Sequence, residues 1–66
     1  MRILGIDPGY GIVGYGIIDT DDGLRAVDYG VINTPKEEAM PARLAIIFES
    51  LKAIIEKYKP DEIAIE

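Results

Sequence analysis

Two hydrophobic periods divide this chain. The first 34 residues carry short apolar runs broken by turn residues. "RILGID", Arg2 to Asp7, is an Ile- and Leu-rich run that stops at Pro8-Gly9, and it predicts a buried strand, β1. "IVGYGIIDT", Ile12 to Thr20, is β-branched and aromatic with two internal glycines, and predicts β2. Asp21-Asp22-Gly23 is a strong turn signal. "LRAVDYGVINT", Leu24 to Thr34, then reads as β3. Short connections make β2 and β3 an antiparallel hairpin, and the glycine-rich stretch makes another between β1 and β2.

After Thr34 the period changes. Met40, Leu44, Ile47, Phe48, Leu51, Ile54, Ile55 and Tyr58 recur at helical spacing and form one apolar stripe. The opposite face carries Arg43, Glu49, Lys52, Glu56 and Lys57. Thr34-Pro35-Lys36-Glu37 resembles a capping box with proline at the first helical position. Pro41 disfavours helical backbone at Met40, so the spacing predicts a single turn near Pro35 to Glu38 and a long helix starting near Pro41. Lys57 and Lys59 suit the negative end of its dipole, and Pro60 stops it. "DEIAIE", Asp61 to Glu66, alternates and predicts β4.

A helix that leads back into a strand forms a crossover, which places β4 parallel to a strand of the first sheet. The fold class expected is α/β: a mixed sheet with β1, β2 and β3 antiparallel, a long helix, and β4 parallel to β1. No second helix is present to cover the other sheet face, as such architectures require. Residues 1–66 therefore read as an incomplete, N-terminal portion of one domain. The other reading is a small complete α+β protein.

Composition narrows the chemistry. Histidine and cysteine are both absent. That excludes zinc fingers, iron–sulfur clusters, disulfides, Ser-His-Asp triads and thiol nucleophiles. Any metal must be a hard cation on oxygen ligands. The net charge of −5 suits cations and is a poor match for a freestanding nucleic-acid binder. No run approaches the roughly 18 apolar residues of a membrane span. "MRILGID" meets charge too early for a signal peptide. A cytoplasmic location with no membrane partner is expected.

Gly9 to Gly14 spell G-x-G-x-x-G after a strand, with Asp28 at a suitable distance downstream. The dinucleotide mechanism needs a helix that starts inside the motif, because the pyrophosphate sits on its amides. "YGIIDTDDG" follows instead and is a poor helix former. A Walker A loop lacks its G-K-[ST]. The glycines are better read as a tight hairpin that leaves room for a ligand phosphate nearby. Tyr10 and Tyr15 beside it are candidates for ligand contact or for packing.

Asp7 ends a buried apolar strand, where a carboxylate is costly unless it is paired or bound to a cation. Ile3, Gly5 and Asp7 share one face of β1. Glu66 ends "EIAIE" and shares a face with Ala64, which leaves room. If β4 lies beside β1 in parallel, the two carboxylates sit on adjacent strands about 4.8 Å apart at the backbone. Like charges so close repel unless a divalent cation favours both ionised forms. The simpler reading makes Asp7 an Asx cap of the Pro8-Gly9 turn and Glu66 a solvated chain end. The other acids read as turn, helix-start or solvated-face residues.

"GIDPG" at Gly5 to Gly9, "GYG" at Gly14 to Gly16, "TP" at Thr34-Pro35, "PARL" at Pro41 to Leu44 and "PDEIAIE" at Pro60 to Glu66 together resemble the N-terminal half of the RuvC family of Holliday junction resolvases. The resemblance covers the whole chain. It implies a ribonuclease H-like fold with strand order 3-2-1-4-5 and two divalent metals, Mg²⁺ or Mn²⁺, held by four carboxylates. Asp7 and Glu66 match the first two as catalytic and metal-binding residues. The other two would lie on a later helix, so this chain alone is expected to be inactive. The glycine hairpin, at Gly9, Tyr10, Gly11 and Gly14, would let a DNA backbone approach. Four-way junction DNA, a homodimer and a branch-migration helicase complex are the partners implied. An aspartate before a glycine-rich hairpin also occurs in the sugar kinase and actin-like ATPase superfamily, so a nucleotide-binding phosphotransferase is the alternative. Those loops typically carry hydroxyl and Lys side chains, whereas this one offers Tyr10, Gly11, Ile12 and Val13.

Overall fold

The computed structural model describes residues 1–9 and 11–66 and contains β1 (Arg2–Pro8), β2 (Ile12–Asp19), β3 (Arg25–Asn33), α1 (Met40–Tyr58) and β4 (Glu62–Ile65). The sheet order is β3-β2-β1-β4, with β1 antiparallel to β2, β2 antiparallel to β3, and β4 parallel to β1. This is the mixed sheet that the pattern predicts. The strands differ from the expected spans by at most one residue at each end. Leu24 falls outside β3 and is 82% exposed. Gly23 turns the β2–β3 connection at φ 86. Val27 is an extra residue in β3, since Ile17 pairs with Asp28 while Ile18 pairs with Ala26.

One sheet face is packed and one is open. Leu4, Ile6, Val13, Ile17 and Ile32 form the buried core, and Ile47, Leu51, Ile54 and Tyr58 of α1 pack against it. The alternation in β1 explains the assignment: Leu4 and Ile6 go inward, while Ile3, Gly5 and Asp7 face the other way. Half of the predicted helical stripe does not reach this core. Met40, Leu44, Phe48 and Ile55 stay exposed, as do Ile63 and Ile65 of β4. A single helix covers only the seam it lies over, and residues one position around its circumference are left uncovered.

Two details of α1 depart from the expectation. It begins at Met40, not Pro41, with Ala39 extended and the Arg43 N–H donating to the Ala39 carbonyl at 3.1 Å. Pro41 then sits in the first turn, where its missing N–H would have had no partner, so it costs no hydrogen bond. Thr34 does not act as a helix cap. Its side chain is engaged by Arg43 and the Gly11 carbonyl. The expected turn at Pro35 is present, with the Glu38 N–H donating to Pro35 at 3.2 Å. At the other end Lys59 adopts the left-handed conformation (φ 48) and its N–H donates to Ile55 at 2.8 Å.

Ionic contacts tie the far end of the sheet to the helix. The Arg2 guanidinium grips Asp19 through two bonds of 2.8 and 3.0 Å and donates to the Tyr58 carbonyl at 3.0 Å. Arg25 adds a third bond to Asp19 at 3.0 Å. The hydrogen bond from Arg2, reinforced by Arg25, lowers the Asp19 carboxyl from its ordinary 3.8 to about 2. A carboxyl lowered on folding contributes stability above its unfolded value and loses it as pH falls through the folded one. Asp19→Asn should therefore reduce stability at neutral pH and flatten the acid limb between about pH 4 and pH 2. Acid titration followed by circular dichroism measures this. Asp28, which the dinucleotide reading would place on a ribose, instead accepts from the Tyr58 hydroxyl and the Tyr29 N–H. The Tyr58 hydrogen bond holds its carboxyl below the ordinary value.

Candidate metal centre

Asp7 lies in the last full turn of the β1 pleat, opposite Gly14 of β2. Ile6 pairs with Ile65 of β4, and the Glu66 N–H donates to the Ile6 carbonyl at 3.2 Å. That bond carries the parallel ladder one step further and brings Glu66 alongside Asp7. Adjacent strands stand about 4.8 Å apart at the backbone. Both carboxylates are exposed on the open sheet face and line one concavity of 780 Å³.

Small residues make the floor of that concavity. Ala64, Gly5 and Gly16 lie on one rung across β4, β1 and β2. Glu66, Asp7 and Gly14 form the next. A methyl group at Gly14 would meet only the Asp7 Cβ and carbonyl, at 3.8 Å. No bulky neighbour crowds Asp7 from that strand. The donor set is two carboxylates, hard oxygen ligands that suit Mg²⁺ or Mn²⁺. Among the described residues no group of three or more His, Cys, Asp or Glu comes together. The chain brings two carboxylates, Asp7 and Glu66, to this end of the sheet.

The hairpin after Asp7 is closed on itself. The Gly9 N–H donates to the Ile12 carbonyl at 2.8 Å, so it is not offered to a phosphate. Gly11 has φ 83, the left-handed region that favours glycine. A β-strand follows at Ile12, not the helix N-terminus that a dinucleotide cradle needs. The cradle reading therefore fails on geometry, while the phosphotransferase alternative, which also uses a glycine hairpin after the aspartate, is disfavoured by the hairpin's lack of Ser, Thr and Lys between Gly9 and Gly14. A Cβ at Gly9 would sit 2.5 Å from the Ile12 carbonyl oxygen. Gly9→Ala should displace the hairpin and cost about 1–3 kcal/mol, whereas Gly14→Ala should be tolerated. Thermal unfolding of the pair of variants distinguishes them.

Of the remaining candidates, Gly9 is exposed while Gly11 and Gly14 are half-buried around the same sheet end. Tyr10 lies outside the described residues. Tyr15 packs against the core, with its hydroxyl 2.8 Å from where a Gly30 side chain would begin, so packing is its role here. Arg43, expected on the solvated helix face, is half-buried and reaches Thr34. Periodicity gave no sign of this, because an arginine on a helix surface usually faces water. Among the described residues no helix is long and apolar enough to cross a membrane.

A sheet of order 3-2-1-4, with a helical crossover into β4 and acids at matching ends of its two parallel strands, β1 and the edge strand β4, defines the ribonuclease H-like class. The chain belongs to the RuvC family: the family model for crossover junction endodeoxyribonuclease RuvC matches residues 3–66. It is 54% identical over its whole length to crossover junction endodeoxyribonuclease RuvC of Petrotoga mobilis, covering 41% of that protein. It is likewise 51% identical to the Fusobacterium nucleatum protein of the same description, covering 35% of it. The chain thus spans about two fifths of the length of these curated relatives. The fold is similar to Thermus thermophilus RuvC in complex with a Holliday junction substrate, at a TM-score of 0.88 and 25% identity over 98% of this chain and 41% of that one. A second Thermus thermophilus RuvC structure aligns at a TM-score of 0.85 with 25% identity, over 98% of this chain and 44% of that one.

Proposed function

We propose that residues 1–66 are the N-terminal portion of a single ribonuclease H-like nuclease domain, and that the whole protein is a structure-specific endonuclease that resolves four-way DNA junctions in recombination and repair. The observation that carries the reading is the placement of Asp7 and Glu66 on one rung at the end of two adjacent strands. Family membership and the likeness to a junction-bound relative support it.

Asp7 and Glu66 would hold Mg²⁺ or Mn²⁺, with two ions in the complete site. When bound, such ions lower the pKa of a water and stabilise the leaving oxygen of a phosphodiester. Asp7, flanked by β4 on one side and glycine on the other, would serve as the shared ligand. The chain's own contribution is orientation: the parallel ladder fixes both carboxylates, and the glycine floor admits a DNA backbone beside them. Gly9, Gly11 and Gly14 form the small surface over which that backbone would pass. The acidic balance of this segment suits cations, and cationic residues elsewhere in the full protein would hold phosphates.

Resolution of a junction needs two symmetric cuts, which a twofold homodimer supplies directly. Association with a branch-migration helicase rests on the family alone. A DNA enzyme of this kind works in the cytoplasm. The uncovered apolar residues of α1 and β4 fit a chain whose remaining length packs there. Incubation of the full-length protein with a synthetic four-way junction and Mg²⁺ should give paired, symmetric nicks and leave linear duplex intact. Equal cleavage of both substrates, or cleavage by residues 1–66 alone, would overturn the reading.

A further inference from the structure

We infer that Arg43 is a positioning residue of the nuclease centre: acting through Thr34, it fixes the glycine hairpin that borders Asp7 and thereby sets how closely the DNA backbone approaches. The inference rests on the functional reading above. Arg43 belongs to α1, one turn from its start, yet its Nε donates to the Thr34 hydroxyl at 3.0 Å. Thr34 is only 6% exposed. Its N–H donates to the Gly11 carbonyl at 3.2 Å, and its hydroxyl approaches the same oxygen at 3.5 Å. The guanidinium also lies against Gly11 directly, since a side chain begun there would meet Nη2 at 3.3 Å. A helix, the end of β3 and the tip of the hairpin are thus joined at one point.

Beneath that point lies a 120 Å³ hollow lined by Gly9, Gly11, Val13, Thr34, Met40 and Arg43, among others. The hairpin has room to sink or lift if the guanidinium is removed, and the buried Thr34 hydroxyl would lose its donor. The carboxylates are held differently. Asp7 is anchored by its pairing with Gly14, and Glu66 by its bond to Ile6. Loosening the hairpin should therefore leave metal binding alone and weaken engagement of the substrate. The two functions of the sheet end are mechanically separate.

The test uses the full-length enzyme with Arg43→Ala, Arg43→Lys and Thr34→Val, assayed on a synthetic four-way junction. Arg43→Ala and Thr34→Val should each raise KM about tenfold, the effect of losing one charge-assisted hydrogen bond, with kcat within about twofold. Arg43→Lys should be intermediate, since an ammonium can still donate once to Thr34. Manganese affinity should not change in any variant. A merely structural role would lower Tm and the active fraction, hence apparent kcat, with KM unchanged, and that result would overturn the inference. Should Arg43→Ala not fold, the same KM criterion applies to Thr34→Val, which keeps the side-chain shape. A wild-type enzyme that fails to cut the junction would instead defeat the functional reading.

Discussion

Asp7→Asn in the full-length enzyme is expected to lower junction cleavage by at least about a thousandfold while junction binding stays within about threefold. The substitution keeps the size of the side chain and removes its charge. Metal-assisted charge stabilisation is worth several kcal/mol, and each 1.36 kcal/mol is a factor of about ten in rate. Among the described residues no hydrogen bond or ion pair holds the Asp7 carboxylate. The strand that carries it is fixed by backbone pairing on both sides, to Gly14 in β2 and through Ile6 to β4. A loss of cleavage accompanied by unfolding would therefore contradict the account, as would a variant that cuts normally. Single-turnover cleavage and gel-shift binding, run on the same preparation, separate the two quantities.

Leu4→Ala should have the largest effect on stability, about 2–5 kcal/mol. Leu4 and Ile17 are cross-strand partners and are both fully buried. They meet at the centre of the sheet beneath α1. A chain of this size has only a few kcal/mol in reserve, so the isolated 66-residue chain carrying Leu4→Ala should be largely unfolded at 25 °C. Phe48→Ala offers the contrast. Phe48 is a larger side chain on the same apolar stripe, but it is 64% exposed, and its removal should cost less than about 1 kcal/mol in this chain. Urea unfolding of both variants tests the asymmetry. In a full-length protein whose remaining length covers α1, the Phe48 penalty should grow toward that of a buried aromatic.

That contrast also marks how far the sequence could be read. Strand positions followed from alternation and turn residues, because Leu4 and Ile6 must face away from Asp7 in any extended strand. The parallel placement of β4 followed from the single helix before it. The pairing of Asp7 with Glu66 followed from both, since two strands that run in parallel bring their ends to one edge. Periodicity could not divide the helical stripe. Met40, Leu44 and Phe48 have the same spacing as the residues that pack, and only the width of the neighbouring surface decides which are covered. It also could not place Arg43, whose long side chain can lie along the surface or turn inward. Thr34 was misread for a related reason. A threonine before proline is a common cap, but here the extension of the β2–β3 ladder to Gly11 takes it first. Asp19 looked like an ordinary turn acid, and Asp28 stood out only as the downstream acid of the glycine motif. Their partners Arg2 and Tyr58 lie 17 and 30 residues away, beyond the reach of any local pattern.

The central claim is that Asp7 and Glu66 hold the same ion. Calorimetric titration of Mn²⁺ into the full-length protein, its Asp7→Asn and Glu66→Gln variants and the double variant tests it most directly. Each single substitution should abolish the tightest binding event, and the double should lose no more than either single, because ligands of one ion act as a unit. Unchanged Mn²⁺ affinity in either single variant, or losses that add independently in the double, would contradict it.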